Sequence, residues 1–241
     1  MRLADATWSD VDAVVGVESD GALAPILLVP IGSTEQHGPH LPIGTDTLIA
    51  EEISERAVRR TGGLMVAPTI AVSASGEHTG FAGTLSIGTE ATTLLVVELV
   101  RSADWAAGVV LVNGHGGNHG AISAAVEILV AEGRTVMAWW PRWPVRRDGG
   151  PADLHAGRIE TSMMLAIDPG MVRLERAVAG PDATVEQLRA SGVRAVSPSG
   201  VLGDPDGASG REGESFITEF VDDLVHRIER WRPLRRPAAD A

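Results

Sequence analysis

The chain of 241 residues contains no cysteine, which excludes disulfides, zinc–thiolate sites and cysteine nucleophiles together. Any transition metal must then be held by histidine, aspartate and glutamate. Tyrosine is absent too, so six tryptophans and three phenylalanines carry all the aromatic chemistry. Basic residues are scarce: 20 stand against 32 acidic ones, for a formal net charge of −12. Phosphate recognition needs clustered positive charge, so nucleic acid is not an expected partner. The one dense basic run, residues 230–236, sits beside Pro233 and Pro237 and reads as part of a solvated tail. No apolar run reaches the ~18 residues of a membrane span, so no membrane partner is expected. The opening Met1-Arg2-Leu3-Ala4-Asp5 has no signal-peptide core, so a cytoplasmic protein is expected.

What is present has the size and apolar content of one large α/β domain, expected over residues 1–232, with a flexible tail over 233–241. Residues 26–31, 64–70, 109–112 and 135–140 are near-continuously aliphatic or β-branched, as in parallel strands covered on both faces. Helical patterns lie between them, over residues 47–60, 90–103 and 119–132, the second apolar nearly all round. Strand alternating with helix predicts a three-layer α/β/α fold around a mostly parallel sheet. Ile217, Val221, Leu224, Ile228 and Trp231 mark one face of a closing amphipathic helix. Residues 197–213, rich in Gly, Pro and Ser, form the longest irregular segment, and such loops in compact domains are often functional.

In open α/β sheets ligands bind beyond the carboxyl ends of the strands. The polar residues crowd there. The first strand runs into Gly32-Ser33-Thr34-Glu35-Gln36-His37-Gly38-Pro39-His40-Leu41-Pro42 and then Gly44-Thr45-Asp46; the third into Asn113-Gly114-His115-Gly116-Gly117-Asn118-His119. The fourth is followed by Asp153-Leu154-His155-Ala156-Gly157-Arg158-Ile159-Glu160-Thr161-Ser162. Neutral imidazoles and carboxylates converging on an open position are what a hydrolytic divalent metal requires. Glu35 and His37 alternate along an extended segment, Asp46 opens a helix, and His115 lies in a glycine-lined turn. Each alone is readily a cap or a satisfied polar residue; three such clusters in one cysteine-free chain point to metal. Glu160 shares a helix face with Met163, Met164 and Ile167, where a carboxylate needs a cation or several donors. A phosphate-binding module is the reading from another class. It is the weaker reading, because Gly114-His115-Gly116-Gly117-Asn118-His119-Gly120 misses the dinucleotide fingerprint and no P-loop Lys-Ser/Thr is present, and metal analysis would discriminate it.

These three motifs, in this order, resemble the creatininase family of amidohydrolases over roughly residues 25–205. The resemblance implies one or two divalent ions per chain (zinc or iron(II), with manganese also accommodated), a ring-like homo-oligomer, and amide hydrolysis by metal-activated water. It further implies that Glu35, His37, Asp46 and His115 are ligands, Asp46 bridging, and that His155 relays a proton. The family's namesake has a ligand glutamate two residues after the histidine of Asn-Gly-His, where this chain has Gly117. Either Glu160 takes its place, serving as ligand and catalytic group, or the second ion is weak or missing. Ala74-Ser75-Gly76-Glu77-His78, Gly83-Thr84-Leu85-Ser86-Ile87-Gly88-Thr89, Trp139-Trp140-Pro141 and the stretch from Val193 to Pro205 are similar to the branch that matures mycofactocin. That likeness implies a modified precursor peptide as substrate, cut to release its C-terminal Val–Tyr-derived unit. Expected substrate contacts are Glu77, His78, Gly116, Gly117, Asn118, Trp139 and Trp140, with Trp143 completing an aromatic pocket. A small cyclic amide or formamide is the alternative substrate.

Overall fold

The computed structural model describes residues 1–16, 24–142 and 153–231. Trp143 and the tail over 233–241 lie outside the described residues. Four strands, β1 (Ile26–Ile31), β2 (Leu64–Val66), β3 (Gly108–Asn113) and β4 (Val136–Trp139), form one parallel sheet in the order β2-β1-β3-β4. Eight α-helices accompany them among the described residues: α1 (Trp8–Val15), α2 (Thr45–Arg60), α3 (Gly88–Ser102), α4 (His119–Ala131), α5 (Arg158–Ile167), α6 (Val185–Ser191), α7 (Val193–Val196) and α8 (Gly210–Trp231).

The continuous apolar runs of β1 and β3 follow from burial on both sides. Ile26, Leu28, Val110 and Val112 face α2, α5 and α8, while Leu27, Val29, Ile31, Val109 and Leu111 face α3 and α4. Successive strand side chains point to opposite faces, so a strand covered twice needs apolar residues at every position. The result is three layers, as the alternating pattern predicts.

Three expectations change. The second strand ends at Val66 rather than residue 70, because Pro68 has no N–H to offer the ladder; pairing resumes only where the Ile70 N–H donates to the Pro30 carbonyl. Helix α3 is apolar by composition but buries one side, through Thr92, Val96, Val97 and Val100, and leaves Leu94 60% exposed. The irregular segment stops at residue 209, since α8 begins at Gly210. The α8 face is as the spacing predicts, with Ile217, Val221, Leu224 and Ile228 buried and Phe220 added to them. Among the described residues, no helix is long and apolar enough to cross a membrane.

Candidate metal centre

The polar cluster lies past the carboxyl ends of β1, β2 and β3, with one further contribution from the start of α5. Two glycines bring its parts together. A Cβ on Gly32 would stand 2.4 Å from the Thr47 Cα, and one on Gly114 would stand 2.5 Å from the Asp46 carbonyl oxygen. The ends of β1 and β3 thus press directly on the first turn of α2, backbone against backbone. That contact carries Asp46, the second residue of the helix, into the middle of the site.

Asp46 is 2% exposed. The His37 Nε2 lies 2.9 Å from its Oδ1 and the His115 Nδ1 3.0 Å from its Oδ2, while the Ser33 hydroxyl donates to Oδ2 at 2.7 Å. Glu35 is fully buried beside it. Its Oε2 is 3.2 Å from the His115 Nε2; its Oε1 is 3.2 Å from the His78 Nε2 and 3.7 Å from the His155 Nδ1. Yet neither Glu35 oxygen receives an aligned hydrogen bond. A buried carboxylate without donors is costly, and a cation is what such an oxygen pair fits. Three sets of donor atoms lie within 4.8 Å of one another: Glu35, Asp46 and His115; His37, His155 and Glu160; and Glu35, His78 and His155.

The charges are interlocked. Burial pushes Glu35 up to about 7 and Glu160 up to about 8. Burial also opposes ionisation of Asp46, His37 and His115, but their mutual attraction overrides it. His37 and His115 hold Asp46 well below the carboxylate range, while Asp46 and Glu35 bring the two imidazoles up to about 10. His78 falls to about 3 and His155 well below its ordinary value, from burial and then from neighbouring imidazolium charge. The centre balances its carboxylates with protons on two imidazoles, a charge that a divalent ion would supply in their place.

Glu160 reaches this cluster from the first turn of α5, its Oε2 accepting from the Ala156 N–H at 2.5 Å. Ala156 has φ +53°, a left-handed conformation uncommon for a residue with a Cβ, which turns the chain sharply between His155 and the helix. Position 117 cannot hold a side chain. A Cβ there would stand 2.1 Å from the Glu77 Oε1 and 2.4 Å from the His115 Nε2. Glu77, from the loop after β2, already fills that space, with its Oε1 3.5 Å from the His115 Nε2.

The structure therefore brings together Glu35, His37, Asp46, His115, His155, Glu160 and His78, with Glu77 and Gly117 at the rim. Other expected substrate contacts sit elsewhere. Trp139 is 1% exposed and packs into the core against Phe220, its indole N–H donating to Asp223 at 2.8 Å, so it lines no pocket at this centre. Trp140, the next residue, points to the other face and stacks on His119 at 4.7 Å between ring centroids. Asn118 is fully buried as a girder: its Oδ1 accepts from the Ala74 N–H, and its Nδ2 donates to the Gly32 carbonyl and the Asn113 Oδ1. Gly116 is exposed with nothing crowding it. Residue types alone did not single out Gln36, whose amide lies 2.9 Å from the His78 Nδ1 and 3.1 Å from the His155 Nε2.

Comparison with known proteins agrees with this geometry. The family model for creatinine amidohydrolases matches residues 4–228. A curated mycofactocin precursor peptide peptidase of Mycolicibacterium smegmatis is 47% identical over 224 residues, covering 89% of this chain and 88% of that protein. Among solved structures, a creatinine amidohydrolase (creatininase) superposes with TM-score 0.80 at 26% identity, over 97% of this chain and 98% of that one. A creatininase structure described as the manganese form superposes with TM-score 0.77 at 25% identity, over 97% and 99%.

Proposed function

The chain belongs to the creatininase family and is an amidohydrolase, and from that premise we propose that it cleaves a modified mycofactocin precursor peptide to release the C-terminal Val–Tyr-derived unit. The peptidase relative, identical at nearly half the aligned positions, supports the peptide over a small cyclic amide. The observation that carries the chemistry is the buried, donorless Glu35 carboxylate facing three imidazoles.

In this reading Glu35, Asp46 and His115 would hold one divalent ion, and His37 and Glu160 would offer donors to a second. A metal there supplies Lewis acidity at the scissile carbonyl and makes a water acidic enough to ionise near neutral pH. Imidazole and carboxylate donors suit zinc, iron(II) and manganese alike. The remaining work falls to the protein's own side chains. The His155 Nε2 lies 2.7 Å from the Gln36 backbone carbonyl, which can only accept, so that nitrogen carries the proton. Its Nδ1 is left with a lone pair directed at the Glu35 side of the cluster. His155 is thus prepared to take a proton from the attacking water and to hand it to the leaving amine. Burial holds this imidazole neutral, so the Nδ1 lone pair is free to accept. Glu160, anchored by the Ala156 N–H, fixes the turn from which His155 projects.

The test is incubation of metal-replete protein with the modified precursor peptide, read by mass spectrometry for the C-terminal fragment, beside His155→Asn. Wild-type protein should release the fragment and a chelator should abolish release. The variant should retain its metal and lose ~10²–10⁴-fold in turnover. No fragment from protein of verified metal content overturns the substrate; undiminished turnover by the variant overturns the role of His155.

A further inference from the structure

Gln36 lies between the two candidate ligands Glu35 and His37, yet its side chain turns away from both of them and is only 7% exposed. Its Oε1 accepts from the Gly38 N–H at 2.8 Å, which fixes which end of the amide is which. Its Nε2 then faces three atoms: the His78 Nδ1 at 2.9 Å, the His155 Nε2 at 3.1 Å and the Gly200 carbonyl at 3.2 Å. An amide nitrogen has two hydrogens. The His155 Nε2 cannot receive one, because it donates its own proton to the Gln36 backbone carbonyl. The two amide hydrogens therefore go to Gly200 and to His78. His78, accepting at Nδ1, carries its proton on Nε2, the nitrogen 3.2 Å from the Glu35 Oε1.

We propose that Gln36 is a positioning residue: its backbone carbonyl and side-chain amide together set the tautomers of His155 and His78, so that His155 turns the Nδ1 lone pair, and His78 the Nε2–H edge, toward the side of the cluster where Glu35 lies. The two rings lie 4.5 Å apart, centroid to centroid. With the opposite tautomers, His155 would have no lone pair toward the cluster and His78 no N–H on that side. The inference rests on the reading of the Glu35 cluster as the catalytic centre.

The irregular segment before α8 belongs to the same device. Gly200 has φ +84°, and a Cβ there would stand 1.7 Å from the Gln36 Oε1. Two residues on, the Leu202 N–H donates to the His155 carbonyl at 2.8 Å, and the His155 N–H donates back to the Leu202 carbonyl at 3.3 Å. One short stretch of chain thus caps the Gln36 amide and pairs with the backbone of the histidine that the amide neighbours. Only glycine fits at its point of closest approach.

Zinc-loaded, full-length protein with Gln36→Met, Gln36→Glu and Gly200→Ala tests this. Gln36→Met keeps the length and loses both polar ends; Gln36→Glu keeps the shape, presents an acceptor to His78, and serves if the methionine variant does not fold. Each should retain its zinc by elemental analysis, keep KM within about threefold, and lose roughly 10- to 100-fold in kcat, the range for partners that orient functional groups at metal sites. In nitrogen-15 spectra of the histidines, wild-type His78 and His155 should both appear as the Nε2–H tautomer. His78 should leave that form in either Gln36 variant. Wild-type kcat in the variants, an unaltered His78 tautomer, or zinc lost in step with activity would each overturn the proposal. Failure of the underlying reading looks different: the wild-type protein would be inert on the peptide, or His155→Asn would remain active.

Discussion

The two helical layers cover the same sheet in different ways. On one side α5 and α8 meet at backbone distance, and α2 takes the ends of β1 and β3 against its first turn in the same way. A Cβ on Gly213 of α8 would stand 1.9 Å from the Ser162 carbonyl of α5, and the helices bury Ile49, Ile53, Met163, Met164, Ile217 and Leu224 against β1 and β3. On the other side α3 and α4 bury one aliphatic stripe each and present Leu94, Leu95, Ile128 and Val130 outward. The two carboxylates of the candidate centre that stand on helices, Asp46 and Glu160, both belong to the tighter layer. A carboxylate that must face a cation at a fixed distance is best carried by an element that cannot shift, and close helix–helix contact supplies that rigidity. The histidines come from loops, where their rings turn freely until hydrogen bonds to Asp46, Gln36 and the Ala74 carbonyl fix them.

The contrast is open to experiment. The largest effect should come from Asp46→Ala. It removes the carboxylate that pairs with His37 and His115 and leaves two buried imidazoles without their counter-charge. Metal content by elemental analysis should collapse, and turnover should fall further than the roughly 100-fold expected of an outer partner. Retention of a full complement of metal would show that the tight layer is not what holds the ions. Next comes Gly213→Ala, which forces a methyl group into the α5–α8 contact. Overpacking of this kind costs about 1–3 kcal/mol, more than the ~1 kcal/mol of helix propensity that alanine adds. The midpoint of urea unfolding should drop accordingly, and an unchanged midpoint would mean that the two helices can part without loss. The smallest effect should follow Leu94→Gln on the outward face of α3, within ~0.5 kcal/mol and with full activity. A larger loss there would show that this face is covered in solution and would erase the contrast between the layers.

Much of the fold was legible because burial on both faces leaves an imprint in composition: residues 26–31 and 109–112 are apolar at every position, and each is a central strand. What local pattern could not convey depends on distant contacts. The adjacent tryptophans 139 and 140 look alike in sequence, but strand alternation sends Trp139 to Asp223 in the core and Trp140 to His119. Pro68 ended β2 early, a signal that was present and outweighed by the aliphatic residues around it. In the candidate site the histidines and carboxylates were legible as types in strand-end loops. Gln36 was not, since nothing distinguishes an amide in a polar loop until Gly200, 164 positions away, is brought against it. Glu77 was noticed, but not that it occupies the space over Gly117, a relation between two loops that follow different strands.

The clamp of Gly32 and Gly114 on the first turn of α2 also bears on how such an enzyme can diverge. Backbone atoms there stand where side chains would otherwise be, so neither position tolerates substitution without moving Asp46. Glu77 and Phe81, from the stretch after β2, and Arg194 of α7 lie outside that clamp, with Arg194 over the Phe81 ring at 5.2 Å. The candidate metal centre is therefore fixed by backbone contacts that the Phe81–Arg194 region does not share. A lineage can vary the region of Phe81 and Arg194 without disturbing this clamp, whereas an enlarged residue at either glycine would displace the first turn of α2 and Asp46 with it.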